Sequence, residues 1–255
     1  MKQIDLNSDL GEGFGAYQMG DDEAMLKIVT SANVACGWHG GDADIMAKTF
    51  RLAKALGVAV GAHPGYGDLW GFGRRVLPHS AGEIERLIAY QIGAAQALSV
   101  YSGHRITHVK VHGALANLAG DKAEIAGAIG AAIRAVDRHL IWLVIAGTEG
   151  DKAAERLGLP LAREIFADRT YTERGTLTPR SEPGAVIGDP QLAGRRVLEM
   201  LEAGAMISVS GRRIPTRIDS ICVHSDTPDA VAIATEVRRS LQMAGWTLAA
   251  FSGTS

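Results

Sequence analysis

Residues 106–147, ITHVKVHGALANLAGDKAEIAGAIGAAIRAVDRHLIWLVIAG, carry the reading that decides the fold. The stretch opens on a strand pattern over 106–111, where Thr107, Val109 and Val111 alternate with His108 and Lys110. It continues into DKAEIAGAIGAAIRAVDR, whose apolar residues recur at helical spacing, and ends in a short apolar run over 140–146. Strand, helix and strand in this order form a βαβ unit, which needs a parallel sheet. Outward from it the same alternation recurs. The pattern predicts strands over 3–8, 31–36, 57–62, 106–111, 140–146, 163–167 and 218–224, with helices between them. The clearest helices lie in GGDADIMAKTFRLAKALG, HSAGEIERLIAYQIGAAQAL, DPQLAGRRVLEMLEAG and TPDAVAIATEVRRSLQMAG, which carry Asp, Ser or Thr near their starts, three of them closing on Gly. Seven such units predict an α/β barrel, and 255 residues fit one barrel domain spanning 1–255.

Composition narrows the partners. Hydrophobic residues at 47% and charged residues at 21% suffice for a full core. A formal net charge of −2 offers no basic field for a phosphate backbone, so nucleic acid is not expected as a partner. The longest apolar runs, such as LIWLVIAG, are too short to span a bilayer, and no leader pattern opens the chain. Cys36 and Cys222 form no C-x-x-C pair and suggest neither a disulfide framework nor a zinc knuckle. A cytoplasmic protein is expected.

Because strand side chains alternate between faces, each run divides into a helix-facing and an interior set. In IDLNSD, Ile4, Leu6 and Ser8 suit the helices and Asp5, Asn7 and Asp9 point inward. In ITHVKVHG the inward set is His108, Lys110 and His112; in VAVGAH it is Ala59, Gly61 and His63; in SICVHSD it is Cys222 and His224. Barrel interiors are normally packed with branched apolar side chains, so buried polar rows need partners or a ligand. Any single one of these residues could be a satisfied core polar group. As a set, Asp9, His63, His112 and His224 lie at the strand ends where barrel enzymes place their chemistry.

The candidate catalytic residues are therefore Asp9, Lys110, His112 and His63. Lys110 can stabilise charge on a carbonyl or phosphoryl oxygen, and His112 can move protons near neutrality. Asn7, Asn33, His39, Arg74, Arg180 and His224 are the candidate substrate-binding residues. Arg74 and Arg75 in GFGRR, and Arg180 in LTPRSEPGAVI, lie in two Gly- and Pro-rich loops over 64–79 and 168–189 and suit a carboxylate or phosphate, against a competing reading as surface arginines. Cys36, three residues before His39, reads more simply as a small buried cysteine than as a nucleophile. DLGEGFG lacks the lysine of a phosphate-binding loop; its carboxylates Asp9 and Glu12 could serve as acid or base, or cap a helix. Asp9, His39, His63 and His112 are also of the kind that hold zinc or another divalent ion, though their spacing matches no H-x-x-x-H or H-E-x-x-H frame.

DLNSDLGEGFG, SANVACGWHGGD, GAHPGYGDLWGFGRR, VKVHGALAN and TPRSEPGAVI together resemble the LamB/YcsF family of 5-oxoprolinase A subunits, over essentially the whole chain. The resemblance implies an irregular TIM-like barrel related to the glycoside hydrolase and deacetylase barrels. It also implies ATP-dependent opening of 5-oxoproline to glutamate with partner subunits B and C, the ATP site being on this chain, shared, or on a partner, with magnesium as the ATP counter-ion. Two alternatives stand beside it: a metal-dependent hydrolase or deacetylase acting alone, and a subunit that binds ligand without catalysis. Oligomeric state is left open, a homo-oligomer included.

Overall fold

The first strand sets the frame. In the computed structural model, which describes residues 2–251, β1 (Lys2–Leu10) is buried from Ile4 onward on both faces, as a barrel strand covered by helices must be. The chain then alternates: α1 (Asp22–Leu26), β2 (Ser31–Ala35), α2 (Ala43–Leu56), β3 (Ala59–His63), α3 (Ala81–Tyr101), β4 (Ile106–Lys110), α4 (Gly113–Asp121), α5 (Ala123–Asp137), β5 (Ile141–Ile145), α6 (Glu149–Leu157) and β6 (Leu161–Phe166). It continues through α7 (Pro190–Ala203), the hairpin β7 (Ala205–Ile207) and β8 (Arg213–Pro215), β9 (Ser220–Cys222), α8 (Ala230–Met243) and β10 (Trp246–Leu248).

Strands β1 to β6 and β9 pair in parallel, and β9 returns to β1 through Asp5 opposite Ser220 and Asn7 opposite Cys222, closing a seven-stranded barrel. Each of the seven expected strands is present. The short elements β7, β8 and β10, which lie outside the barrel circuit, were not expected. β10 pairs with the start of β1, Lys2 opposite Trp246 and Ile4 opposite Leu248, so β1 touches three strands. Phe251 then lies edge-on to His108, with ring centroids 5.0 Å apart.

Helix ends follow their sequence signals. Ser80 and Glu83 form a reciprocal capping box at the start of α3, Asp42 caps α2, and Asp189 caps α7 with Pro190 in the first turn. α2, α6 and α7 end on left-handed glycines. The helices lay their apolar faces on the strands, and the side chains of Ile4, Leu6, Val60, Val109 and Ile221 belong to the resulting core. Between β3 and β4 the register slips at Val60/Gly61. At the same place any Cβ at Gly61 would collide with the His108 ring, so the missing side chain of one strand makes room for the imidazole of the next.

Among the described residues no helix is long and apolar enough to cross a membrane.

Candidate active site

The interior of this barrel is polar from floor to rim. At the floor Asp5 accepts from Thr30 and Ser31 at 2.6 and 2.7 Å and also from Ser220. One layer up, Asn7 donates to Ser220 at 2.7 Å, while Asn33 donates to Asn7 at 2.8 Å and to Asp9 at 2.9 Å and accepts from His108 Nε2 at 2.9 Å. Each of these inward groups has a partner, which is the condition for burying it. The candidates Asn7 and Asn33 therefore serve as supports beneath the cavity; neither is among its lining residues.

Lys110 ends β4 with its ammonium between two carboxylates, 2.9 Å from Asp9 and 3.1 Å from Glu164, and it donates to the Cys222 sulfur at 3.0 Å. Burial opposes the charge, but Asp9 and Glu164 outweigh it and hold Lys110 well above its ordinary value. Burial opposes ionisation of Asp9 too; the neighbouring His63 ring and Lys110 ammonium more than offset it and hold its carboxyl well below its ordinary value. Glu164 differs: burial pushes its carboxyl up to about 7 despite Lys110. A carboxyl raised in the fold contributes stability in its protonated form, complete below its unfolded value near 4.5 and lost as pH rises through about 7. Glu164→Gln should flatten the dependence of melting temperature on pH between 4.5 and 7, removing a slope worth up to about 3 kcal/mol; an unchanged slope in parallel melts would show that Glu164 titrates elsewhere.

Just beyond the end of β6, Asp168 takes His224 Nδ1 at 3.0 Å on both carboxylate oxygens and the Thr227 hydroxyl at 2.7 Å. Burial opposes ionisation of Asp168, and His224 and Thr227 more than offset it. The imidazole stacks on Phe166, with planes 12° apart, and its Nε2 lies 4.0 Å from Asp9. A carboxylate that fixes one ring nitrogen and leaves the other facing a cavity is the arrangement of a positioned proton carrier.

The rim comes from the two long loops. Arg169 donates to the carbonyls of Thr178 and Ala185 and so holds the 168–189 loop over the mouth. Arg74 and Arg180, far apart in sequence, meet at Asp226, 2.7 and 3.9 Å from it. A buried Arg180 guanidinium nitrogen has no hydrogen-bond partner. Arg75 turns outward to pair with Asp68. Between loops and floor lies a cavity of about 510 Å³, lined by Asp9, His63, Lys110, His112, Glu164, Arg74, Arg180 and His224 among others.

Beside the cavity a second cluster gathers His39, His63, His112 and Glu12. His39 and His112 stack with centroids 3.7 Å apart and planes 2° apart. Glu12 Oε1 lies 3.2 Å from His39 Nε2 and 3.4 Å from His112 Nδ1. His112 bonds the carbonyl of Phe72 at 2.8 Å, and Phe72 adopts φ 54°, a left-handed conformation that costs a non-glycine residue roughly 1 kcal/mol or more. The hydrogen bond and the packing of the Phe72 ring against His39 and His112 hold it there. Cys36 is buried, donates to the Val34 carbonyl, and burial pushes its thiol up to about 12, which suits an inert residue.

Reasoning from sequence did not single out Glu164, Asp168 or Asp226. The first two continue the inward alternation of β6 through Phe166, so the signal was present in REIFAD. Asp226 pairs only across the mouth, and nothing local marks it. Glu12 caps no helix; Asp21 caps the helix that follows. The amides of Gly11 and Gly15 in the DLGEGFG loop donate to the carboxylates of Asp22 and Asp42.

Comparison with known proteins places this geometry. The chain is 58% identical to the 5-oxoprolinase A subunit of Azorhizobium caulinodans over 99% of this chain and 100% of that one. It is 55% identical to the protein of the same name from Gluconobacter oxydans, over 96% of each. The crystal structure of a lactam utilization protein from Thermus thermophilus superposes with a TM-score of 0.91 at 43% identity, covering 98% of this chain and 100% of that one. A likeness of fold alone extends to the catalytic domain of a peptidoglycan N-acetylglucosamine deacetylase from Eubacterium rectale, at TM-score 0.52 and 11% identity, covering 98% of this chain and 89% of that domain. Residues 4–255 match the model of the LamB/YcsF family, and the chain belongs to that family.

Proposed function

We propose that this chain is the A subunit of an ATP-dependent 5-oxoprolinase of the cytoplasm and that its cavity holds 5-oxoproline while the lactam is opened to glutamate. The observation that carries the reading is the Lys110 ammonium, buried between Asp9 and Glu164 at the base of a cavity with paired arginines at its mouth. The names of the close relatives support it.

A lactam is a poor electrophile. Transfer of the γ-phosphoryl group of ATP to its oxygen makes the ring carbon open to water and releases ADP. Arg74 and Arg180 suit the substrate carboxylate, and Lys110 faces the oxygen on which charge develops. His224, held by Asp168, takes a proton from the attacking water and returns it to the ring nitrogen as the C–N bond breaks. The product of that step is an acyl phosphate, which a second water converts to glutamate and phosphate. Asp9 keeps Lys110 charged and in place. The amides of Gly11 and Gly15 already donate to carboxylates, which supports a nucleotide and magnesium site shared with, or lying on, subunits B and C.

Glutamate release from 5-oxoproline and ATP should appear only when this chain is combined with both partner subunits, and not with this chain alone or with the two partners alone. Full turnover by the partners without this chain would make it a binding subunit; no turnover by the complete set would overturn the reading.

A further inference from the structure

Written with neutral rings, the proton count in the histidine cluster does not close. His63 Nδ1 lies 2.8 Å from the carbonyl of Lys110 and His112 Nε2 lies 2.8 Å from the carbonyl of Phe72. A carbonyl only accepts, so each of these nitrogens carries its hydrogen. In the neutral rings the other nitrogens, His63 Nε2 and His112 Nδ1, are then both lone pairs, and they face each other at 3.0 Å. Two lone pairs at that distance repel unless something positive lies between or beside them. Glu12 Oε1, a third acceptor when ionised, faces the same point at 3.4 Å from His112 and 3.9 Å from His63. His39 Nε2 lies 3.2 Å from Glu12, and His39 Nδ1 is buried with no partner.

We propose that Glu12, His39, His63 and His112 form a binding site for a divalent transition-metal ion of the zinc type, set in the wall of the substrate cavity. All four ligand atoms lie within 4.8 Å of one another, and all four residues are buried. Ligands about 2.0–2.1 Å from a tetrahedral zinc ion stand roughly 3.3 Å apart; the separations of 3.0, 3.2 and 3.4 Å lie near that edge, and His63 to Glu12 is wider at 3.9 Å. Metal-ligating histidines commonly donate their second N–H to a backbone carbonyl, which fixes the ring and its tautomer; His63 and His112 both do so. Three imidazoles and one carboxylate suit zinc, cobalt or nickel rather than magnesium or calcium, which take oxygen ligands.

The cage is built of backbone as well as rings. A Cβ at Gly73, whose φ is +62°, would sit 2.8 Å from both the His112 ring and His39 Cβ, so the loop can close on the cluster only with glycine there. A second candidate group, Asp9, Cys222 and His224, is already served by a cation, because the Lys110 ammonium bonds Asp9 and Cys222. Metal binding at the histidine cluster is independent of the oxoprolinase reading, because it takes place in the absence of substrate.

The test uses the purified full chain, stripped with chelator and titrated with Co(II) and Zn(II). One equivalent should bind, with visible Co(II) bands of a four-coordinate nitrogen-rich site. Glu12→Gln and His112→Asn, checked for folding by near-UV circular dichroism, should weaken binding by more than about a hundredfold, beyond the loss expected for an outer partner, while Asp9→Asn retains it. Absence of stoichiometric uptake by the folded chain, or uptake unaltered in Glu12→Gln, would overturn the proposal. So would nitrogen-15 imidazole shifts in metal-supplemented protein that place a shared proton between His63 and His112.

Discussion

Lys110→Met should abolish turnover and leave the protein several kcal/mol less stable. The ammonium is the common partner of Asp9, Glu164, Asn7 and Cys222 in the barrel interior. Methionine fills comparable volume but leaves two buried carboxylates facing one another without compensation. Breaking a buried pair from one side costs about 3–5 kcal/mol. Part of that cost is avoided by protonation, and Glu164, already raised to about 7, is the group that takes the proton. Denaturant melts should therefore show the deficit widening from pH 6 to pH 8. In the assembled enzyme the loss of charge opposite the developing oxyanion should lower kcat by about a thousandfold or more. A double variant, Lys110→Met with Glu164→Gln, should regain stability but not activity. Recovery of both would show that Lys110 is structural only.

Asp168→Asn should leave the fold nearly intact and lower kcat by between a hundredfold and about ten-thousandfold. The side chain keeps its size and can still bond Thr227, yet an amide can present its NH2 to His224 Nδ1 and so favour the opposite tautomer, with the hydrogen on Nε2. His224 would then face the cavity with a donor where the reaction needs a base. KM for 5-oxoproline should change little, since the arginines that suit its carboxylate are untouched. A rise in KM with kcat preserved would move His224 from proton transfer to substrate binding.

The interior rows of the barrel were legible because they follow a period of two. Asp5, Asn7 and Asp9, and likewise His108, Lys110 and His112, could be assigned to the interior from alternation alone, and they meet there in hydrogen bonds and ion pairs. The same rule reaches Glu164 and Asp168 once REIFAD is divided in the same way. What alternation does not supply is partnership. That Arg74 and Arg180 converge on Asp226, or that His39 stacks on His112, depends on loops whose course is set by contacts such as Arg169 with the Thr178 and Ala185 carbonyls. The shortest elements were illegible for a different reason. β7, β8 and β10 have three residues each and no alternation running on beyond them, whereas β9, equally short, was legible because the alternation continues past it through Val223 and His224.

The closure of β1 against β9 sets a timetable for biosynthesis. The partner of Asp5 in that pairing, Ser220, emerges only after more than two hundred further residues have been added. At about 5–20 residues per second the first strand waits roughly ten to forty seconds for its neighbour. Through that interval Asp5 and Asn7 lack Ser220, and β1 keeps one edge unpaired. Slow assembly of such distant pairings is typical of parallel sheets, and a nascent chain halted before β9 would be the form most in need of a chaperone.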